Sequence, residues 1–161
     1  MKIGFIGLCN VGGKLAGSLL RNGKNVSVHD LNKNFVKSFV ERGAKDGSNA
    51  HNLMQNCDVV ITCLPTPEAS SAIVKEMLPS VGPGKIWMEM STTDAEEVKK
   101  LAGLVVAAGG EAVDCPVSGG CHRADTGNIS IYAGCERKTF DRVLPILTHM
   151  GRRILHVGDV G

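Results

Sequence analysis

An excess of one charge sign is missing from this chain: 18 basic residues face 16 acidic ones, a formal net charge of +2. A dedicated nucleic-acid or membrane-surface protein needs a concentrated basic field, so neither partner is expected. Long apolar runs are missing too; no stretch approaches the roughly 18 uninterrupted apolar residues of a membrane-spanning helix. The opening Met1–Gly7 carries one basic residue and too short an apolar run for a secretory leader. Low-complexity segments, charge runs and internal repeats are also absent. Aromatic residues make up only 4% of the chain, against 20 glycines, which describes aliphatic elements joined by many tight connections. What remains is a 161-residue chain of 43% apolar composition, enough for one domain with a core of its own. The six cysteines (Cys9, Cys57, Cys63, Cys115, Cys121 and Cys135) are not needed as staples at this length. They read as reduced thiols, in keeping with a cytoplasmic or mitochondrial-matrix location.

Short apolar runs alternate with amphipathic segments. Lys2–Ile6, Val26–Val28, Asp58–Leu64, Lys85–Met90 and Glu111–Cys115 read as strands, the third being the continuous apolar kind of a parallel sheet. Ile129–Ala133 and Arg153–Val157 read as two more. Between them, Val11–Arg21, Lys33–Arg42, Glu68–Leu78, Ala95–Ala108 and Glu136–Met150 have helical periodicity. In the second helix Phe35, Val36, Phe39 and Val40 share the predicted buried face. Strand–helix alternation of this kind implies an α/β, Rossmann-type doubly wound fold, with a mostly parallel sheet and helices on both faces. The whole of residues 1–161 is expected to be one dinucleotide-binding domain.

The first strand runs through Gly7-Leu8-Cys9-Asn10-Val11-Gly12 directly into a helix. Glycine at the strand end permits a tight turn, glycine five residues on permits close helix–strand packing, and the helix N-terminus offers free N–H groups to a pyrophosphate. Cys9 replaces the middle glycine of the usual Gly-x-Gly-x-x-Gly pattern, and its thiol is expected to crowd the phosphates. The alternative nucleotide loop fails, because Lys14 is one place late and Leu15 stands where a metal-binding hydroxyl belongs. Asp30, at the end of the second strand, suits the ribose hydroxyls and opposes a 2′-phosphate, so NAD is expected over NADP. Asp30 also precedes a helix as a cap, although Asn32 serves equally well. His29 either lines an adenosine pocket or is simply exposed.

Further along, Gly4–Gly12 is similar to the Gly-Phe-Ile-Gly-Leu-Gly-x-Met-Gly of the β-hydroxyacid dehydrogenase family, which includes 3-hydroxyisobutyrate dehydrogenase. Leu64-Pro65 and Met90-Ser91-Thr92-Thr93 resemble its later segments, with Glu89 where aspartate is usual. Asp114-Cys115-Pro116-Val117-Ser118-Gly119-Gly120, followed by Ala124 and Gly127, differs from the family's stretch only by cysteine for alanine. The resemblance spans the whole chain and implies the N-terminal NAD-binding domain of an oxidoreductase. It implies cofactor contacts at Gly7, Leu8, Cys9, Asn10, Val11, Gly12, Asp30, Leu64, Pro65 and Thr92. Ser118, Gly119 and Gly120 would hold a small 3-hydroxy acid, interconverted with its carbonyl by hydride transfer.

The family's catalytic lysine belongs to a Gly-x-Gly-x-x-x-Lys stretch that Gly158-Asp159-Val160-Gly161 approaches, so it falls beyond Gly161. The all-helical second domain of the family falls there as well. No catalytic residue is therefore expected in this chain, which alone should not turn over substrate. The other reading is a non-catalytic dinucleotide-binding or protein-interaction module, which Cys9 and the missing lysine favour. Cys115, Cys121 and His122 lack zinc-site spacing, so no metal is expected. Cys57 and Cys63 read as apolar filler, Trp87 as core, and self-association as a homo-oligomer stays open.

Overall fold

A computed structural model describes residues 1–161. It has nine strands, β1 (Ile3–Ile6), β2 (Val26–His29), β3 (Lys45–Asp46), β4 (Val59–Thr62), β5 (Ile86–Glu89), β6 (Glu111–Asp114), β7 (Val117–Ser118), β8 (Ile129–Gly134) and β9 (Gly151–Gly158). The seven α-helices are α1 (Asn10–Arg21), α2 (Lys33–Glu41), α3 (Ala50–Asn56), α4 (Pro67–Met77), α5 (Ala95–Ala107), α6 (Gly120–Asp125) and α7 (Arg137–Leu147). The strands form one sheet. Six of them run parallel in the order β3-β2-β1-β4-β5-β6, and the order reverses between β1 and β4. β8 then joins β6 and β7 antiparallel, and β9 lies parallel to β8 at the far edge.

Every residue of β1, β4 and β5 is buried, as strands covered on both sides must be. Alternate side chains part to the two faces. Ile3, Phe5, Val59, Ile61, Ile86 and Met88 pack with Leu15 and Leu19 of α1, Val36 and Phe39 of α2, and Val143 and Leu147 of α7. Ile6, Val60 and Trp87 pack on the opposite face with Leu53 and Met54 of α3, Val74 of α4 and Leu101 of α5. This is the predicted doubly wound arrangement, and Trp87 is core as expected, 1% exposed, with its indole N–H donated to Thr62 Oγ1 at 2.9 Å.

The differences have local causes. The α2 face is narrower than predicted: Val36 and Phe39 are buried, but Phe35 and Val40 are exposed. That helix lies over the sheet edge, where β3 is only two exposed residues long and offers little apolar surface to cover. The β3 and α3 segment, with Asn49, Asn52 and Asn56 among its residues, has weak helical periodicity. Asn49 starts α3 by accepting the Asn52 N–H at 2.8 Å. Residues 117–125 fall outside the strands and helices read from the sequence; they form β7 and α6, with Ala124 the one buried residue of that helix.

Candidate functional site

The two ends of the first β–α connection need glycine. Gly7 has φ +95°, and a Cβ there would collide with the Cys63 carbonyl oxygen. At Gly12 a Cβ would collide with the Gly7 carbonyl oxygen. Cys9 is different: at φ −79° and ψ 160° its backbone is ordinary extended chain, open to any residue. The unusual conformation falls on Asn10, φ +34°, a residue type that tolerates it.

Cys9 is also the residue that precedes α1, and its thiol makes no capping hydrogen bond. The helices α2, α3, α4 and α5 are each capped by a side chain, from Asn32, Asn49, Thr66 and Asp94. The first turn of α1 contains no acidic residue either. Its leading N–H groups and the positive end of its dipole are thus left for an anion from outside the chain. A cleft of about 390 Å3 opens there, lined on this side by Cys9, Asn10, Val11 and Gly12.

Asp30 follows β2 and does not cap α2; Asn32 does, accepting the Asn34 N–H at 3.0 Å. The Asp30 carboxylate instead accepts the Leu8 N–H at 2.7 Å through Oδ2 and the Asn32 N–H at 2.8 Å through Oδ1. It thereby ties the glycine loop to the end of β2. Asp30 borders a second cleft, also about 390 Å3, with Gly7, His29, Ile73 and Glu76 around it. The two clefts share Cys9, Cys63, Leu64 and Pro65, so they form one trough across the carboxyl ends of the strands. Cys63 packs against the core, as the filler expected of it, and also forms a half-buried part of the trough wall. Burial and the neighbouring Glu89 carboxyl push its thiol up to about 12.

The opposite wall rests on Glu89, which is fully buried at the end of β5. Its Oε1 accepts the Ser91 N–H at 2.9 Å and the Ser91 hydroxyl at 2.5 Å. Ser91 Oγ in turn accepts the Leu64 N–H at 2.7 Å. Oε2 has no partner. Burial without a cation raises this carboxyl above the usual range, although the Ser91 donors oppose the rise. The expected contact Thr92 is exposed and borders the trough beside Ser91.

Of the ten expected cofactor contacts, nine line the trough, and Leu8 takes part through its backbone while its side chain is buried. The three residues expected to hold substrate are divided. Gly120 lines the trough with Val117, whereas Ser118 and Gly119 are exposed beside it, and Ser118 pairs with Ser130 of β8. Glycine is required at 119, φ +138°, where a side chain would also press on Arg123. His29, Cys63 and Ser91 also border the trough: Ser91 lies in the Met90–Thr93 segment that resembles the family, His29 is buried at 7% exposure rather than simply exposed, and Cys63 follows β4 with no motif of its own. No three or more His, Cys, Asp or Glu side chains gather as a metal set. His156 stacks on Phe140 at 4.7 Å and its Nε2 meets the Cys135 carbonyl oxygen at 2.8 Å, both away from the trough.

A parallel sheet whose order reverses at a glycine turn, an uncapped helix start, and a strand-end carboxylate together define a dinucleotide-binding fold. Residues 2–158 match the family described as the NAD binding domain of 6-phosphogluconate dehydrogenase, and the chain belongs to that family. A 3-hydroxyisobutyrate dehydrogenase of Pseudomonas aeruginosa is 35% identical over 162 residues, covering 99% of this chain and 54% of that enzyme. The human cytokine-like nuclear factor N-PAC is 31% identical, with 99% of this chain and 30% of that protein covered. Among solved structures, Mycobacterium tuberculosis 3-hydroxyisobutyrate dehydrogenase with L-serine superposes with a TM-score of 0.94 at 27% identity, covering 99% of this chain and 55% of that one. The chain thus spans about half the length of the dehydrogenases it matches.

Proposed function

We propose that this chain is the cofactor-holding half of an oxidoreductase that interconverts a small 3-hydroxy acid and its carbonyl, and that it takes NAD in preference to NADP. The observation that carries the cofactor reading is Asp30. Its carboxylate stands at the mouth of the second cleft and is already anchored to the glycine loop through the Leu8 N–H at 2.7 Å. Ribose hydroxyls can donate to such a group, while a 2′-phosphate would bring a second negative charge against it. The α1 N-terminus would take the pyrophosphate, and Leu64, Pro65, Ser91 and Thr92 would border the nicotinamide half. When bound, the dinucleotide supplies a hydride acceptor or donor; this chain binds and orients it. Gly120, with Ser118 and Gly119 beside it, would present the hydroxy acid from the opposite side of the trough. Six free thiols suit the reducing cytosol or mitochondrial matrix.

The experiment is a calorimetric titration of the 161-residue chain with NAD and with NADP, followed by an assay for NADH formation from 3-hydroxyisobutyrate. NAD binding without turnover is the expected outcome, because proton transfer and substrate alignment are assigned to a lysine-bearing segment outside these residues. Turnover is expected once the chain is joined to such a segment. Absence of dinucleotide binding refutes the reading. A second reading, a non-catalytic dinucleotide-binding or interaction module, is favoured by the thiol at position 9 and by a relative that is not named as a dehydrogenase. Persistent inactivity of the joined protein, with NAD still bound, would select it.

A further inference from the structure

An exposed cation without a counterion stands beside the trough. Arg123 belongs to α6, four places after Gly119, and a long helical side chain leans back over the turn before it. A Cβ at Gly119 would stand 2.8 Å from Arg123 Cδ and 3.2 Å from Arg123 Cβ, so the arginine stem occupies the space that glycine leaves. The same point lies 3.4 Å from Cγ1 of Ile129, a residue of the trough wall. The guanidinium begins at the next atom after Cδ, and none of the chain's ion pairs includes it. Asp125, the acidic residue of its own helix, is taken by Lys14 at 3.4 Å and Arg21 at 3.7 Å, both from α1. The adjoining cleft has no charged side chain in its lining, so it offers Arg123 no partner either.

We infer that Arg123 reads a second acidic group on the hydroxy acid, so that the site prefers dicarboxylic 3-hydroxy acids to monocarboxylic ones. This rests on the hydroxy-acid reading above and narrows its substrate class. In that reading the first carboxylate belongs to Ser118, Gly119 and Gly120, which leaves the guanidinium for another group. Its planar fork of N–H donors matches a carboxylate through two parallel hydrogen bonds. An apolar substituent in the same place offers no acceptor and gains nothing from the charge. Because Arg123 is exposed, water and salt weaken the pairing, so the discrimination is moderate and falls as ionic strength rises.

The test compares 3-hydroxyisobutyrate with 2-(hydroxymethyl)succinate, which carries a carboxylate in place of one methyl hydrogen. Each acid is titrated into the whole chain saturated with NADH, and dissociation constants are read from amide NMR shifts. The natural sequence should bind the dicarboxylate about fivefold or more tightly at low salt, with the ratio shrinking toward one at about 0.5 M salt. Arg123→Met keeps an unbranched stem against Gly119 without the charge, so the ratio should fall to about twofold or less. Circular dichroism and thermal unfolding check the fold, and Arg123→Gln decides if Arg123→Met is misfolded. Measurable but equal affinities for the two acids in the natural sequence overturn the inference and leave the hydroxy-acid reading standing. A ratio unchanged in a folded Arg123→Met protein overturns it as well. If neither acid binds the NADH-loaded chain, the inference falls together with the hydroxy-acid half of that reading, and the cofactor half stands.

Discussion

Replacing Asp30 by Asn tests the cofactor reading and the loop architecture at once. The carboxylate accepts two backbone N–H groups, from Leu8 at 2.7 Å and from Asn32 at 2.8 Å, one on each oxygen. An amide has a single acceptor oxygen, so one of these N–H groups loses its partner and faces an NH2 donor instead. Losing one such bond costs about 1 kcal/mol of stability, or roughly 2–4 °C in Tm for a domain of this size. Cofactor choice changes through charge. Two unit charges about 4 Å apart repel by about 4 kcal/mol at an effective dielectric constant of 20, and screening in this half-exposed cleft removes half or more of that. The NAD-over-NADP preference should therefore narrow by roughly 1–2 kcal/mol, about five- to thirtyfold in the affinity ratio. Calorimetric titration of both proteins with both cofactors measures that ratio, with thermal unfolding as the control. Equal affinities in the natural sequence, or an unchanged ratio in a folded Asp30→Asn protein, would refute the assignment of Asp30.

Other substitutions probe neighbouring features. Cys9→Gly should tighten NAD binding by about 1 kcal/mol, roughly fivefold, by removing a thiol from the loop proposed to hold the pyrophosphate; unchanged affinity in a folded variant would show that the loop already accommodates cysteine. With iodoacetamide at pH 8, the exposed Cys9 and Cys121 should react while buried Cys57, Cys115 and Cys135 do not, and NAD should protect Cys9 but not Cys121. Labelling of Cys9 that ignores saturating NAD would place the dinucleotide elsewhere. Glu89 should show a pH signature in urea unfolding. Its folded pKa lies above the ordinary 4.5, so the native state holds a proton that the unfolded chain releases, and stability falls as pH rises from 4.5 through the folded value. Glu89→Gln removes that dependence, so the variant should gain on the natural sequence as pH rises above 4.5; a difference that does not change with pH would contradict a raised Glu89 carboxyl.

Much of the fold was legible because burial on both faces imposes a simple code. Val59-Val60-Ile61 leaves no polar face, so it reads as a central parallel strand, and the structure places it between β1 and β5. The glycine loop was legible for a steric reason: at Gly7 and Gly12 the neighbouring carbonyl oxygens leave no room for a Cβ. Segments that bury little gave no such pattern. β3 contributes two exposed residues, and α6 opens on Gly119 and Gly120, both with positive φ, so composition there resembles a turn. Cys9 shows the limit of motif reasoning. The motif expects glycine at that place, yet the backbone takes an extended conformation open to any residue, and the departure falls on Asn10 at φ +34°.

The two walls of the trough are held by one device in opposite electrostatic settings. On one side a strand-end carboxylate, Asp30, takes the Leu8 N–H directly and borders the open cleft. On the other, the carboxyl ending β5, Glu89, takes the Ser91 hydroxyl, and Ser91 Oγ takes the Leu64 N–H at 2.7 Å. Each fixes a backbone segment that borders the trough. The cleft-side carboxylate borders the open trough, so its substitution is expected to change which cofactor binds. The buried one does not, since it is fully enclosed behind Ser91, so its substitution acts on the position of Leu64 and on stability. A serine between carboxyl and backbone therefore separates support from recognition. That separation gives the Ser91→Ala variant a defined consequence: Leu64 N–H loses its acceptor and Glu89 loses a donor together, at about 1–3 kcal/mol for a buried group left unpaired. Affinity for NAD and for NADP should then fall by the same factor, because the wall moves without any change of charge at the ribose. Titration of the variant with both cofactors reads this directly; a changed NAD-to-NADP ratio would mean that this wall takes part in the discrimination assigned to Asp30.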